Sequence, residues 1–103
     1  MAYSITEQEL QALKSKHGEV YRYLVKDDNG NEVAACYLRE VTLDDIEYAD
    51  SVSRGKFSFK RNILQAIYLC GDDAMLNNKK YSLGLINHVS ELIDIELGTL
   101  EKL

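Results

Sequence analysis

The chain has 103 residues, of which 46% are hydrophobic and 28% charged, with a net charge of −5 and no proline. One domain of this length buries about two-thirds of the surface that its unfolded chain exposes, which suffices for a core without staples. The acidic balance argues against a nucleic-acid-binding surface, so we expect no nucleic-acid partner. No apolar run approaches the ~20 residues of a membrane span, and no signal peptide is recognisable, so we expect a cytoplasmic protein without membrane contact.

The first predicted element is a helix over residues 6–17. Thr6 and Glu9 have the spacing of a capping box, in which each side chain accepts a hydrogen bond from the other residue's backbone N–H. Gly18 is well placed to end the helix. Its apolar face is thin, so the sequence predicts a peripheral position.

A β-hairpin is predicted from Val20 to Arg39, folded about a two-residue type I′ turn at Asn29 and Gly30. Counting outward from the turn places Lys26 opposite Val33 and gives one wholly apolar face. That face consists of Tyr21, Tyr23, Val25, Ala34, Cys36 and Leu38. A slip of one residue would invert the sorting, so the pattern predicts both the register and the face that packs on the helices.

The opposite face of the hairpin is less polar than a face fully exposed to water. Leu24, Val33 and Tyr37 all lie on it. Single apolar residues on a surface need no explanation, but several on one small face suggest contact with a partner or with another strand. Tyrosine also suits an interface, because it offers apolar area and a polar tip.

Three further helices and a short helical turn are predicted after the hairpin. Thr42 and Asp45 repeat the capping pattern at the start of a helix over residues 42–53, and Ser58 precedes a helix over residues 59–70. A helical turn is predicted within residues 72–77.

The last helix, over residues 80–98, has apolar residues at helical spacing. These are Leu85, Ile86, Val89, Leu92, Ile93 and Leu97. The order of elements predicts a single α+β domain over residues 1–103, with an N-terminal helix, an antiparallel β-hairpin and then three helices packed on one hairpin face.

The sequence predicts no catalytic, cofactor or metal site, and hence no enzyme. His17 and His88 are the only histidines, and neither belongs to a zinc-binding pattern. Cys36 and Cys70 read as small buried hydrophobic residues, and a disulfide is disfavoured in a cytosolic chain. Acidic residues cluster near the start of the second helix, where negative charge complements the helix dipole.

Three segments carry a resemblance to a known family. They are Leu13–Tyr21 leading into the hairpin, Tyr37–Asp45 after it, and Ile63–Asp73. Together, across about residues 8–97, they resemble the phage tail assembly chaperone-type proteins of tailed phages and prophages. The shared order is a lysine-containing helix, a glycine, a hairpin, and a helix that closes on Gly-Asp.

The resemblance implies a non-enzymatic role in the cytoplasm of a bacterial host cell. Such chaperones bind and shield the tape-measure protein during tail assembly, and they often form homo-oligomers. The protein-binding residues expected here lie on the outer hairpin face and on the final helix. They are Leu24, Val33, Tyr37, Leu92, Ile93 and Leu97.

Two alternatives remain open from the sequence. One is a small structural tail or head-completion protein, which would stay in the virion. The other is a bacterial protein-interaction module unrelated to phage. Composition and motifs do not separate these from the chaperone hypothesis, because all three are binding proteins without an active site.

Overall fold

The structure, a computed structural model, describes residues 2–97 and 101–103, with side chains described as far as Ile93 and again from residue 101. It is an α+β fold, as the sequence predicts. The elements in chain order are α1 (Glu7–His17), β1 (Val20–Lys26), β2 (Glu32–Arg39), α2 (Leu43–Val52), α3 (Lys56–Ile67), β3 (Tyr68–Gly71), α4 (Ala74–Asn77) and α5 (Lys79–Leu97).

Both predicted capping boxes are confirmed. The Thr6 hydroxyl accepts a hydrogen bond from the Glu9 backbone N–H at 3.1 Å, and the Glu9 carboxylate accepts one from the Thr6 N–H at 3.1 Å. Thr42 and Asp45 form the same arrangement at the start of α2. Gly18 ends α1 with a φ of 83°, a backbone conformation that residues other than glycine rarely adopt.

The hairpin register is confirmed along most of its length, since Tyr21 pairs with Leu38 and Tyr23 with Cys36. At the turn the prediction is wrong, because Lys26 pairs with Glu32 rather than with Val33.

Five residues connect β1 to β2, and the Asp27 N–H donates to the Asn31 carbonyl at 2.9 Å, which closes a three-residue loop that ends at Gly30 rather than a type I′ turn. Gly30 has a φ of 82°, whereas Asn29 has no positive φ, and a type I′ turn requires both. The Asp27 carboxylate explains the difference. Its Oδ1 accepts hydrogen bonds from the backbone N–H groups of Asn29 and Asn31, both at 2.9 Å. These bonds hold the wider loop.

The main departure from the sequence prediction is a third strand. We predicted a helix over residues 59–70, but α3 begins at Lys56 and ends at Ile67, and Tyr68–Gly71 forms β3 instead. Strand β3 pairs antiparallel with β2, so the sheet has the order β1-β2-β3. Gly71 permits this pairing, because a Cβ atom there would lie 2.5 Å from the Cβ of Cys36.

The core lies between the sheet and helices α3 and α5. Its largest fully buried side chains are Ile63, Ile67, Met75, Leu85, Val89 and Cys36. The predicted inner face of the hairpin packs against this core along its whole length. The helices therefore cover one face of the sheet, as predicted, although that sheet has three strands rather than two.

An ion pair ties the end of β2 to both neighbouring helices. The Arg39 guanidinium donates to the two Asp45 carboxylate oxygens at 2.7 and 2.8 Å, and to the Ala66 carbonyl in α3 at 3.0 Å. Hydrogen bonds from Arg39 hold the pKa of Asp45 below its ordinary value. Asp45, one of the predicted acidic residues at the start of α2, is thus a structural anchor.

Candidate protein-binding groove

Strand β1 presents an open edge. It pairs only with β2 in the described part of the chain. Ala35, which lies opposite Leu24, turns its backbone toward β3, where its N–H donates to the Asp72 carboxylate and its carbonyl accepts from the Asp72 N–H, both at 2.9 Å. Because bonded and non-bonded pairs alternate in an antiparallel ladder, Leu24 directs its own N–H and C=O away from β2. Arg22, two residues earlier, does the same.

A groove of about 390 Å³ lies between this edge and helix α5. Its volume is within the range of known ligand pockets. The residues that line it are Tyr21, Arg22, Tyr23, Leu24, Leu38, Leu85, His88, Glu91 and Leu92. The groove thus combines an unpaired strand edge with leucine side chains from three elements, β1, β2 and α5.

Helix α5 approaches β1 closely at one end of the groove. A Cβ atom on Gly84 would lie 3.0 Å from the Tyr23 hydroxyl, and the rings of Tyr23 and His88 are 5.3 Å apart. Burial raises the pKa of Tyr23. His88 and Glu91 form a contact of 2.9 Å between Nδ1 and Oε1. The lining of the groove therefore includes polar side chains as well as leucines.

Two of the predicted binding residues meet in this groove. Leu24 is half-buried on β1, and Leu92 is buried on α5 with 8% of its surface exposed. The sequence placed them in the hairpin and the final helix without indicating that they are neighbours. Whether they bind a partner stays a prediction.

Tyr37 lies elsewhere, under the N-terminal segment. The Tyr3 ring packs edge-on against the Tyr37 ring, with centroids 6.2 Å apart, and Tyr37 is only 7% exposed. The Tyr3 N–H donates to the Asp72 carboxylate at 2.7 Å, and the Arg22 guanidinium donates to the Tyr3 carbonyl at 3.3 Å. The segment before α1 thus covers part of the outer sheet face, which sequence reasoning did not foresee.

The remaining predicted residues are dispersed. Val33 is half-buried on β2, outside the groove at the β1 edge. Ile93 is half-buried and lines a different groove, beside Phe59. Leu97 ends α5, and its side chain lies outside the described residues. The structure therefore brings together one pair of the six and distributes the other four.

The described residues contain no group of three histidine, cysteine or acidic side chains placed to hold a metal ion. Cys36 and Cys70 are both free thiols, and burial raises the pKa of Cys36 to about 12. None of the helices in the described ranges is long and apolar enough to cross a membrane. The groove beside β1 is the feature on which a functional interpretation can be built.

Comparison with known proteins gives no further assignment. The chain matches no family model, no curated protein and no solved structure. Its function is therefore inferred from the groove and from the residues that form it.

Proposed function

We propose that the protein is a non-enzymatic, phage tail assembly chaperone-like protein that binds and shields an apolar segment of a tape-measure protein during tail morphogenesis. The observation that supports this proposal is the groove in which the open edge of β1 lies beside Leu24 and Leu92. The resemblance of residues 8–97 to the tail assembly chaperones supplies the class of partner. Neither the groove nor the resemblance implies an enzymatic reaction.

The groove suits a segment bound in an extended conformation. Backbone groups of an added strand would bond to the outward N–H and C=O groups of Arg22 and Leu24, independently of the partner's sequence. Side chains at every second position of that strand would point toward the leucines of the groove. A chaperone for a long partner needs this combination, because it must recognise apolar segments of varied sequence.

The expected affinity of one such contact is low. Two seated side chains of leucine size contribute about 3–6 kcal/mol, and the entropic cost of association is of similar magnitude. Weak individual contacts release easily when the tail tube polymerises around the partner. The net charge of −5 helps to keep the occupied chaperone soluble.

Co-expression with tape-measure fragments tests the proposal. We expect the protein to co-purify with apolar fragments and to raise their soluble fraction. The variant Leu24→Glu places a charge in the groove and should abolish both effects. The matched control is Leu76→Glu, the same change at a leucine that is 54% exposed on α4 and outside this groove.

A second variant isolates the contribution of the strand edge. Leu24→Pro removes an N–H that faces away from β2, and proline is tolerated on edge strands. We expect it to weaken capture while leaving the thermal melting curve nearly unchanged. If the wild-type protein neither co-purifies with any fragment nor raises its solubility, the chaperone proposal is wrong. Stoichiometric recovery of the protein in purified virions would favour a structural tail component instead.

A further inference from the structure

A second groove, of about 420 Å³, lies between the α2–α3 connection and α5. Phe59 and Ile93 supply apolar lining, while Lys56, Lys60 and Asp50 supply polar lining. We call it the basic groove. It shares no lining residue with the groove beside β1.

The segment from residue 51 to residue 71, which supplies most of the lining of the basic groove, is positively charged, although Asp50 also lines the groove and the protein as a whole is acidic. Between residues 51 and 71 there are four cationic side chains and not one aspartate or glutamate. These cations are Arg54, Lys56, Lys60 and Arg61. The ion pairs among the described side chains, Arg22–Glu32, Arg39–Asp45 and His88–Glu91, involve none of them.

Positive charge at the start of helix α3 opposes the stability of the helix. Its first turn has no acidic residue, and Gly55 at its N-cap provides no side-chain hydrogen bond. Lys56 therefore adds positive charge to the positive end of the helix dipole, and it lies one turn from Lys60, a like charge. Phe57, in the same turn, is 48% exposed. A negatively charged partner would relieve this repulsion.

We propose that the basic groove binds an acidic amphipathic helix of another protein. Its apolar side chains would pack on Phe59 and Ile93, and its carboxylates would pair with Lys56 and Lys60. The lining comes from helices and their connection, without an open sheet edge, so the fitting occupant is a helix rather than an added strand. This partner is distinct from the apolar segment assigned to the groove beside β1.

The test uses a fluorescently labelled synthetic peptide of about four helical turns, with leucine on one face and glutamate on the other. A second peptide carries lysine in place of every glutamate. By fluorescence anisotropy with the full-length protein, we expect saturable binding of the glutamate peptide only. The double variant Lys56→Glu/Lys60→Glu should weaken this binding at least about tenfold.

The matched control is Lys79→Glu/Lys80→Glu, which makes the same change in net charge at two exposed residues of α5. It should alter binding by less than about twofold. Glutamate at residue 56 favours the start of α3, and glutamates at both positions only repeat the like-charge spacing of the lysines, so loss of binding is not expected to reflect unfolding. Equal weakening by both double variants would overturn the proposal, because it would indicate unspecific charge attraction.

Two further measurements distinguish the outcomes. Leu24→Glu should bind the acidic peptide as the wild type does, so failure at one groove leaves the other proposal standing. In sedimentation of the protein alone, we expect no self-association that depends on Lys56 and Lys60. If the wild type does self-associate and Lys56→Glu/Lys60→Glu abolishes that self-association, the occupant is the acidic surface of a second copy, and the proposal of a different protein is wrong.

Discussion

Replacing Arg39 with methionine should lower the free energy of unfolding by more than most single substitutions outside the apolar core do. Methionine keeps the apolar stem of the side chain and removes the guanidinium. The Asp45 carboxylate would then retain a bond from the Thr42 N–H at 2.9 Å but lose its cation. The carbonyl of Ala66 would lose its arginine donor as well.

The burial of the pair determines the expected magnitude. The side chains of Arg39 and Asp45 are 20% and 11% exposed. Removing one partner of a fully buried pair costs about 3–5 kcal/mol, whereas a fully exposed pair contributes less than about 1 kcal/mol. We therefore expect the free energy of unfolding to fall by about 2–3 kcal/mol. For a domain of this size that corresponds to a decrease in Tm of about 10–20 °C.

Urea denaturation followed by far-UV circular dichroism measures this loss. The m-value should stay constant while the midpoint falls. A double-mutant cycle with Asp45→Asn should give a coupling energy of about 1–2 kcal/mol, because the two side chains bond directly. A loss below about 0.5 kcal/mol, or strictly additive single variants, would refute the reasoning.

The same pair predicts a pH dependence. Because Arg39 lowers the pKa of Asp45 in the folded protein, the stabilisation is complete above the ordinary value of 3.8. It is lost as the pH falls through the lowered folded pKa. The difference in stability between the wild type and Arg39→Met should therefore shrink on acidification below about pH 4.

Three further substitutions test other features of the fold. Gly71→Ala should lower the free energy of unfolding, measured in thermal melts, by about 2 kcal/mol, because the added Cβ would lie 2.5 Å from the Cβ of Cys36. Its control, Gly55→Ala, has open space around the added Cβ and should lower that free energy by less than about 0.5 kcal/mol. Gly30→Ala should cost about 1–2 kcal/mol, because φ there is 82°, and the asparagine variant should cost less. Tyr3→Ala should speed the reaction of Cys70 with a thiol reagent, because the interaction with Cys70 that raises the pKa of Tyr3 requires the phenol to lie near that thiol, and an unchanged rate would contradict this placement.

The sequence predicts those features that depend on local pattern. The capping boxes at Thr6 and Thr42 rest on spacings of three residues, and the hairpin register rests on counting outward from the turn to give one wholly apolar face. The capping boxes and the face that packs on the helices are confirmed, and the register is confirmed except at the turn. The turn was mispredicted because the Asp27 side chain bonds to two backbone N–H groups and stabilises a longer loop.

Strand β3 was missed because its residues continue the apolar period of α3. Tyr68 follows Ile63, Leu64 and Ile67 at helical spacing. The pairing of β3 with β2 joins residues 30 to 35 positions apart and leaves no local signal in β3 itself. One signal was present in β2. The run from Ala34 to Leu38 is apolar without alternation, which is typical of a strand buried on both faces.

The groove beside β1 was only half predictable. Leu24 and Leu92 were chosen from separate patterns, and only the packing of α5 against β1 shows that they are neighbours. The covering of Tyr37 by Tyr3 depends on Asp72, a residue that the sequence assigned to a turn. Contacts between distant segments of this kind cannot be read from spacing.

The third strand also clarifies where a partner can bind. A lone hairpin would have two comparable edges, but here β2 is central and the two edges differ. Strand β3 has four residues, whereas β1 has seven and runs beside the groove, and each has one irregular step in its pairing with β2. Long open edges promote aggregation unless they are protected or used, and short edges are less prone to it. The difference in length therefore supports the proposal that β1 is the binding edge, while β3 closes the other side of the sheet.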